Sequence, residues 1–499
     1  MPVDPPEHVD VLIVGAGLAG VGAACRLRAE CPGKSVAIIE ARERIGGTWD
    51  QFRYPGVRSD SDMQTLGYDF RPWRRTRALA DGGSIRRYIA DTAREHGLEP
   101  LIRFGRRVVR AEWSSTEARW HVDVEPAGGA DGAGGTDGAG RTRLTCDFLH
   151  LCTGYYRYDE GYLPDWPGTG RFTGRLVHPQ HWPDDLDHTG KRVIVIGSGA
   201  TAVTLVPAMA GTAAHVTMLQ RSPAYVVSIP GEDAIAAWLA RVLPSRAAHW
   251  IVRWKNVLLI TLGYRAARYA PRLTRAAIRA RAARLLPSGY DIGRHFDPRH
   301  EPWEQRVCFV PDGDLFAALR ERRASIVTDR IDTFTERGIR LASGAELEAD
   351  VIVAATGLNV RLLGGARIVV DGRPVDPARA VGYKAMMLSG VPNLSFAIGY
   401  TNASWTLKCD LVARYLCRLI DHMDAHGYRQ CTPVVPDASL PTVPFVDLTS
   451  GYIQRARHLL PRQGTKHPWR IHGNYLRDRL LYRRGRLDDA GIVFSRGTV

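Results

Sequence analysis

Two short stretches of this chain combine glycine spacing with residues that could hold a phosphate. The first, Gly15-Ala16-Gly17-Leu18-Ala19-Gly20, is followed about twenty residues later by Glu40. In such a turn the first glycine permits a tight bend, the second lets a diphosphate approach the backbone, and the third lets a helix pack closely on a strand. The helix N-terminus offers unpaired N–H groups to the diphosphate, and a strand-end carboxylate accepts hydrogen bonds from a ribose diol. Gly15, Gly17, Ala19, Gly20 and Glu40 are therefore expected to bind a dinucleotide that lacks a 2′-phosphate. The second stretch, Gly197-Ser198-Gly199-Ala200-Thr201-Ala202, has alanine at the third position, and Arg221-Ser222 stands where an acid would serve a bare ribose. A guanidinium fork and a hydroxyl suit a 2′-phosphate, so Gly197, Ser198, Gly199, Ala200, Thr201, Ala202, Arg221 and Ser222 are expected to bind NADPH. Together the two sites point to FAD reduced by NADPH. None of the eight cysteines stands in a C-x-x-C or C-x-x-x-x-C pair, which disfavours a disulfide reductase, and reaction of the reduced flavin with oxygen is the expectation. No metal-ligand spacing is present, and no metal is expected.

These turns require particular elements around them. Val11–Val14 is a short apolar run suited to a strand buried on both faces, Val21–Glu30 is helical in composition, and Ser35–Ile39 is a second strand ending in the acid. The same plan returns with a strand at Val193–Ile196, a helix up to Ala210 and a strand at His215–Leu219. Two apolar strands, Asp147–Gly154 and Asp350–Gly357, each end in Thr-Gly and are expected to close the two nucleotide folds. Pro126–Gly140 is rich in Gly, Ala and Asp and reads as a solvated loop between hairpin strands, and Cys409–His426 reads as a helix. The fold class is thus α/β, with two Rossmann-like dinucleotide-binding domains and a helical insertion. The FAD-binding domain is expected over 1–157 and 375–499, the NADPH-binding domain over 165–225 and 301–360, and the insertion over 226–300. A content of 45% hydrophobic residues excludes a disordered chain, and the most apolar window, Trp250–Leu262, is interrupted by Arg253 and Lys255, so no membrane-spanning helix is expected. The beginning of the chain lacks the build of a secretory signal, which with the cysteine usage makes the cytoplasm the expected location.

Further motifs resemble a known family. Phe172-Thr173-Gly174-Arg175-Leu176-Val177-His178-Pro179-Gln180-His181-Trp182-Pro183 resembles the fingerprint of type I Baeyer–Villiger monooxygenases, F-x-G-x-x-x-H-x-x-x-W-P. Gly46–Trp49 and Arg53–Asp60 resemble that family's flavin-contact segment. The segments Arg58–Met63, Gly399–Lys408 and Asn474–Asp478 are most similar to its ethionamide-activating subgroup. The resemblance implies that NADPH reduces FAD and that oxygen adds to form a flavin C4a-peroxide. One oxygen atom then enters a ketone to give an ester or lactone. It also implies that Arg306 is the active-site arginine, a cation that cannot release its proton beside a peroxyanion, and that Asp60 is the acid that orients it. Thr48, Trp49, Asp50, Gln51, Arg58, Ser59 and Asp60 become expected flavin contacts, and Val108 an expected contact of the adenine. For His178, between the two folds, a conformational role is favoured over proton transfer. The segment Tyr400–Leu407 is closer to flavin monooxygenases that oxidise sulfur and nitrogen, so the expected small-molecule substrate is a ketone or a sulfur compound, with O2 as co-substrate.

The net charge of +15 is unevenly placed. Between Ala234 and Tyr290 there is no Asp or Glu, while ten arginines and Lys255 stand among Trp238, Trp250, Trp254, Tyr264 and Tyr269. Aromatic rings and arginines on amphipathic helices suit peripheral contact with an anionic membrane. Without a known docking motif, nucleic acid is not an expected partner.

Overall fold

The computed structural model describes residues 6–75, 77–128, 140–436 and 439–496. Most of the expected loop Pro126–Gly140 lies outside them. The strands flanking it, Arg119–Pro126 and Thr142–Leu151, form an antiparallel pair.

The first glycine turn joins β1 (Glu7–Val14) to α1 (Leu18–Glu30), which leads to β2 (Val36–Ile39). Beyond them come β3 (Ile102–Arg103), β4 (Arg106–Ser114), β5 (Arg119–Pro126) and β6 (Thr142–Leu151). The second unit takes β7 (Arg175–Val177), β8 (Arg192–Ile196), α2 (Ala200–Met209) and β9 (His215–Gln220). Three helices follow: α3 (Ala234–Val242), α4 (Ser245–Tyr269) and α5 (Pro271–Leu285). The chain then returns through β10 (Ala324–Thr328) and β11 (Val351–Ala354) to β12 (Arg367–Val370), β13 (Leu394–Phe396) and the long α6 (Trp405–His426).

Two sheets organise the molecule. In the first, β3, β2, β1 and β6 lie parallel, and the sheet continues through antiparallel β5 and β4 to β12. Strand β13 pairs with the C-terminal end of β6, so chain remote in sequence completes the first sheet. The second sheet is wholly parallel in the order β10-β9-β8-β11-β7. All four residues of β2 and of β11 are buried, as expected of parallel strands covered on both faces. Helix α1 packs against α6 over the first sheet, joining Leu27 and Val21 to Leu416 and Leu419 in one core, while Val193, Val203 and Val353 belong to a second. The helix around the first turn begins at Leu18, three residues before the periodicity suggests, because Gly17 serves as its N-cap.

The insertion is anchored on its inner side. Arg253 of α4 is buried and donates to the carbonyls of Gln64 at 2.6 Å and Gly67 at 2.9 Å. Asn256 donates to Asp62 at 2.8 Å. Asp62 in turn caps the short helix Met63–Leu66, accepting from the Thr65 N–H. Helix α4 thereby holds the segment that begins at Asp60.

Candidate active site

Both glycine turns solve the same steric problem. Gly15 has φ +106°, and a Cβ there would stand 2.5 Å from the carbonyl oxygen of Cys152, at the end of β6. Gly197 has φ +143°, and a Cβ there would stand 2.4 Å from the carbonyl oxygen of Ala355, at the end of β11. Each turn thus rides on the backbone of a strand that ends in Thr-Gly, and only glycine fits there. At Gly20 a Cβ would meet the Gly15 carbonyl oxygen at 1.8 Å, whereas the equivalent Ala202 is accommodated and fully buried.

A cavity of about 720 Å³ runs from the first turn. Gly15, Gly17, Glu40, Val108, Thr48 and Trp49 contribute to its wall, as do Asp60, Arg306 and Trp405. Glu40 is buried, and its two carboxylate oxygens accept the N–H groups of Ala16 at 2.7 Å and Arg42 at 2.8 Å. Burial pushes its carboxyl above the usual range, and each oxygen keeps a further lone pair for a ribose diol. FAD fits these features. The cavity is large enough for a dinucleotide to lie along it, the glycine turn opens at its edge, and an acid stands at the strand end.

At the other end Arg306 Nη1 donates to Asp60 Oδ2 at 2.8 Å. The attraction of Asp60 holds the guanidinium well above its ordinary range, so its charge is permanent. About a third of the Arg306 side chain is open, and it lines the cavity. Tyr155, Tyr156 and Tyr452 surround it electrostatically. The hydroxyls of Tyr155 and Tyr156 lie 2.7 Å apart, and the Tyr155 ring stacks on Trp405 with centroids 5.1 Å apart. The residue types and spacing of these tyrosines carry no signal of such a role. For Tyr155 and Tyr156 the position directly after the Thr153-Gly154 strand end is the one hint, and Tyr452, in a remote segment, has none.

The remaining expected residues fall into distinct places. Gln51 lines the cavity and donates to the Gln180 carbonyl at 3.0 Å, linking the segment expected to contact flavin to the segment 172–183. Asp50, Arg58 and Ser59 stand outside the cavity lining. The Asp50 carboxylate accepts from Arg42, Arg58 pairs with Asp314, and Ser59 Oγ donates to the Ser61 carbonyl. Ala19 lines the cavity, while Gly20 sits behind it, in the packing of α1 on β1. Residues 197–202 form the turn and the start of α2, Arg221 and Ser222 follow β9, and none of them lines this cavity. Arg221 and Ser222 are exposed at the end of β9, and Arg221 makes no ion pair among the described residues. His178 accepts the Gln180 N–H at 3.2 Å through Nδ1 and reaches the Gly357 carbonyl at 3.1 Å through Nε2. Desolvation lowers its pKa, and the two bonds suit a neutral ring tying the fingerprint to the end of β11. Among the described residues no cluster of ligating side chains could hold a metal.

The sequence has relatives along its whole length. Residues 13–81 match a model of the NAD(P)-binding Rossmann-like domain, and residues 81–257 match the flavin-binding monooxygenase-like family. The chain is 51% identical over 491 residues to the FAD-containing monooxygenase EthA of Mycobacterium tuberculosis, covering 98% of each. It is 52% identical over 496 residues to the putative FAD-containing monooxygenase MymA of the same organism, again covering 98% of each. Among solved structures, an oxidized steroid monooxygenase bound to NADP superposes with a TM-score of 0.76, covering 98% of this chain and 100% of that one at 24% identity.

Proposed function

The chain belongs to the flavin-binding monooxygenase-like family, and on that premise we propose that it uses FAD and NADPH to insert one oxygen atom of O2 into ketones, giving esters or lactones. The balance is one ketone, one O2, NADPH and a proton in, with ester, water and NADP⁺ out. The chemistry that bound FAD supplies is acceptance of a hydride from NADPH and activation of O2. Gly15, Gly17 and the α1 N-terminus hold the diphosphate, Glu40 the ribose, and Val108 the adenine end, while Thr48, Trp49 and Gln51 contact the flavin. Gly197–Ala202, Arg221 and Ser222 hold NADPH.

The observation that carries the reading is the Arg306–Asp60 pair in the cavity wall. Arg306 provides a cation that cannot act as an acid, so oxygen near it keeps its negative charge and its nucleophilicity toward a carbonyl carbon. Asp60 fixes the direction of the guanidinium before reaction, which removes a reorganisation cost. Tyr155 and Trp405 form an aromatic wall that limits water. Oxidation at sulfur or nitrogen is the second reading. It is supported by Trp405 and Ala403 in the wall, because their segment resembles that of heteroatom-oxidising flavin monooxygenases.

The test supplies purified protein with NADPH, isotopically labelled O2, a cyclic ketone and a thioether. A lactone carrying one labelled oxygen supports the first reading; sulfoxide alone supports the second. Arg306→Ala is expected to lower lactone formation by about 10²- to 10³-fold, the cost typical of losing one preorganised charge-stabilising donor. Anaerobic flavin reduction by NADPH should persist in this variant. Lactone formation at the wild-type rate would remove Arg306 from the mechanism.

A further inference from the structure

The outer side of the insertion is apolar where a solvated helix would be polar. Ten of the seventeen large hydrophobic side chains exposed among the described residues lie between Ile235 and Leu273. On α3, Ile235, Trp238 and Val242 recur at helical spacing with exposures of 53%, 61% and 53%. On α4, Ile251, Leu258, Leu262 and Tyr269 follow one line along the helix, opposite the side that Arg253 and Asn256 fasten to residues 62–67. Single exposed apolar residues are ordinary, but a strip continued over neighbouring helices marks a surface that something covers.

The same three helices carry exposed cations. Lys255 is neutralised by Asp233, while Arg275 and Arg279 share the single carboxylate of Asp297. Arg241, Arg246, Arg265, Arg268, Arg272, Arg281 and Arg284 are exposed and form no ion pair among the described residues. An apolar strip with uncompensated cations on the same helices fits one kind of surface best. A second copy of the chain would bring like charges together. A nucleic acid would use the arginines and leave the strip in water. An anionic bilayer satisfies both, with rings and aliphatic side chains at the acyl boundary and guanidinium groups on headgroup phosphates.

We propose that the outer face of α3, α4 and α5 docks on the surface of an anionic lipid bilayer. No helix among the described residues is long and apolar enough to cross a membrane, so these helices lie on it. The inner anchoring of α4 makes the face a fixed platform that needs no folding on contact. The proposal is independent of the reaction assigned above.

The flavin-loaded full chain is sedimented with vesicles of phosphatidylcholine alone or mixed with phosphatidylglycerol, some carrying brominated acyl chains. Binding to the mixed vesicles at low salt, release at high salt, and quenching of tryptophan emission by the brominated chains are expected. Arg265→Gln with Arg268→Gln should weaken partitioning about 25-fold, from roughly fivefold per arginine. Leu258→Glu with Leu262→Glu should abolish the quenching, with Leu258→Ser and Leu262→Ser as the milder pair if the first variant is poorly folded. Melting temperature and NADPH oxidation should stay unchanged in all of them. Four results would each overturn the proposal: no binding at low salt, equal binding to neutral vesicles, quenching retained in the leucine variants, or self-association that those variants abolish. A duplex oligonucleotide that binds through Arg265 and Arg268 but displays no dependence on the leucines would do the same.

Discussion

At the scale of single residues the site separates into groups that carry charge and groups that fix it. Arg306 is charged at any working pH and Asp60 orients it, so their worth lies in a geometry set before the reaction. An exposed pair of this kind would add little stability, and its consequence comes from its position in the cavity wall. Asp60→Ala should therefore leave the fold intact, and lower the yield of oxygenated product per NADPH consumed while hydrogen peroxide release rises. Coupled measurement of NADPH, peroxide and product checks it. Arg221 differs because it is exposed and unpaired among the described residues, free to meet a 2′-phosphate. Loss of one charge-assisted contact costs about 1.5–3 kcal/mol, so Arg221→Ala should raise KM for NADPH about tenfold or more. Its KM for NADH should change little, and steady-state kinetics with both coenzymes would show a common change if Arg221 served only the fold.

At the scale of elements, the two β-α-β units differ in one methyl group with a measurable consequence. Gly20 faces the Gly15 carbonyl at a distance no Cβ can share, whereas Ala202 already carries its Cβ in the equivalent place. Gly20→Ala must push α1 away from β1, which should destabilise the protein by about 1–3 kcal/mol and yield protein depleted in flavin. Ala202→Gly should cost less than about 1 kcal/mol, the entropic effect of a glycine at a helix start. Flavin content and melting temperature of the purified variants distinguish the two. The insertion shows the same logic in reverse. Its periodicity marks helices, but Arg253, which reads as one more surface cation, is buried against backbone carbonyls of residues 62–67.

At the scale of the whole molecule, stability is linked to buried neutral histidines. His150 on β6 lies 2.7 Å from Ser395 on β13, and burial lowers its pKa to about 4. His249, at 2.9 Å from Gln64, is lowered to about 4 in the same way. An unfolded histidine takes up its proton near pH 6.5, so the contribution of these neutral rings is complete above about pH 6.5 and is lost as pH falls toward 4. For His150 the loss is on the order of 3 kcal/mol. Thermal melts between pH 7 and pH 4.5 should show this decline, and His150→Gln should flatten it. A decline of equal slope in the variant would place the acid sensitivity elsewhere. The eight cysteines are all free and buried, so none offers an exposed thiol.

Two dinucleotide folds and their glycine turns were legible in the residues, because a parallel strand, a turn without side chains and a helix start are local and leave a pattern at short range. The strand-end Glu40 and Arg221 were legible for the same reason. The partnership of Arg306 with Asp60 rested on resemblance alone, since residues so far apart in sequence carry no periodic sign of meeting. Three further features have no local signature: the backbone carbonyls of Cys152 and Ala355 that make Gly15 and Gly197 obligatory, β13 completing the first sheet, and the tyrosines around Arg306. They arise where separate segments converge. Spacing along a chain reports which face a residue shares with its neighbours, whereas a cavity is made by what lies opposite.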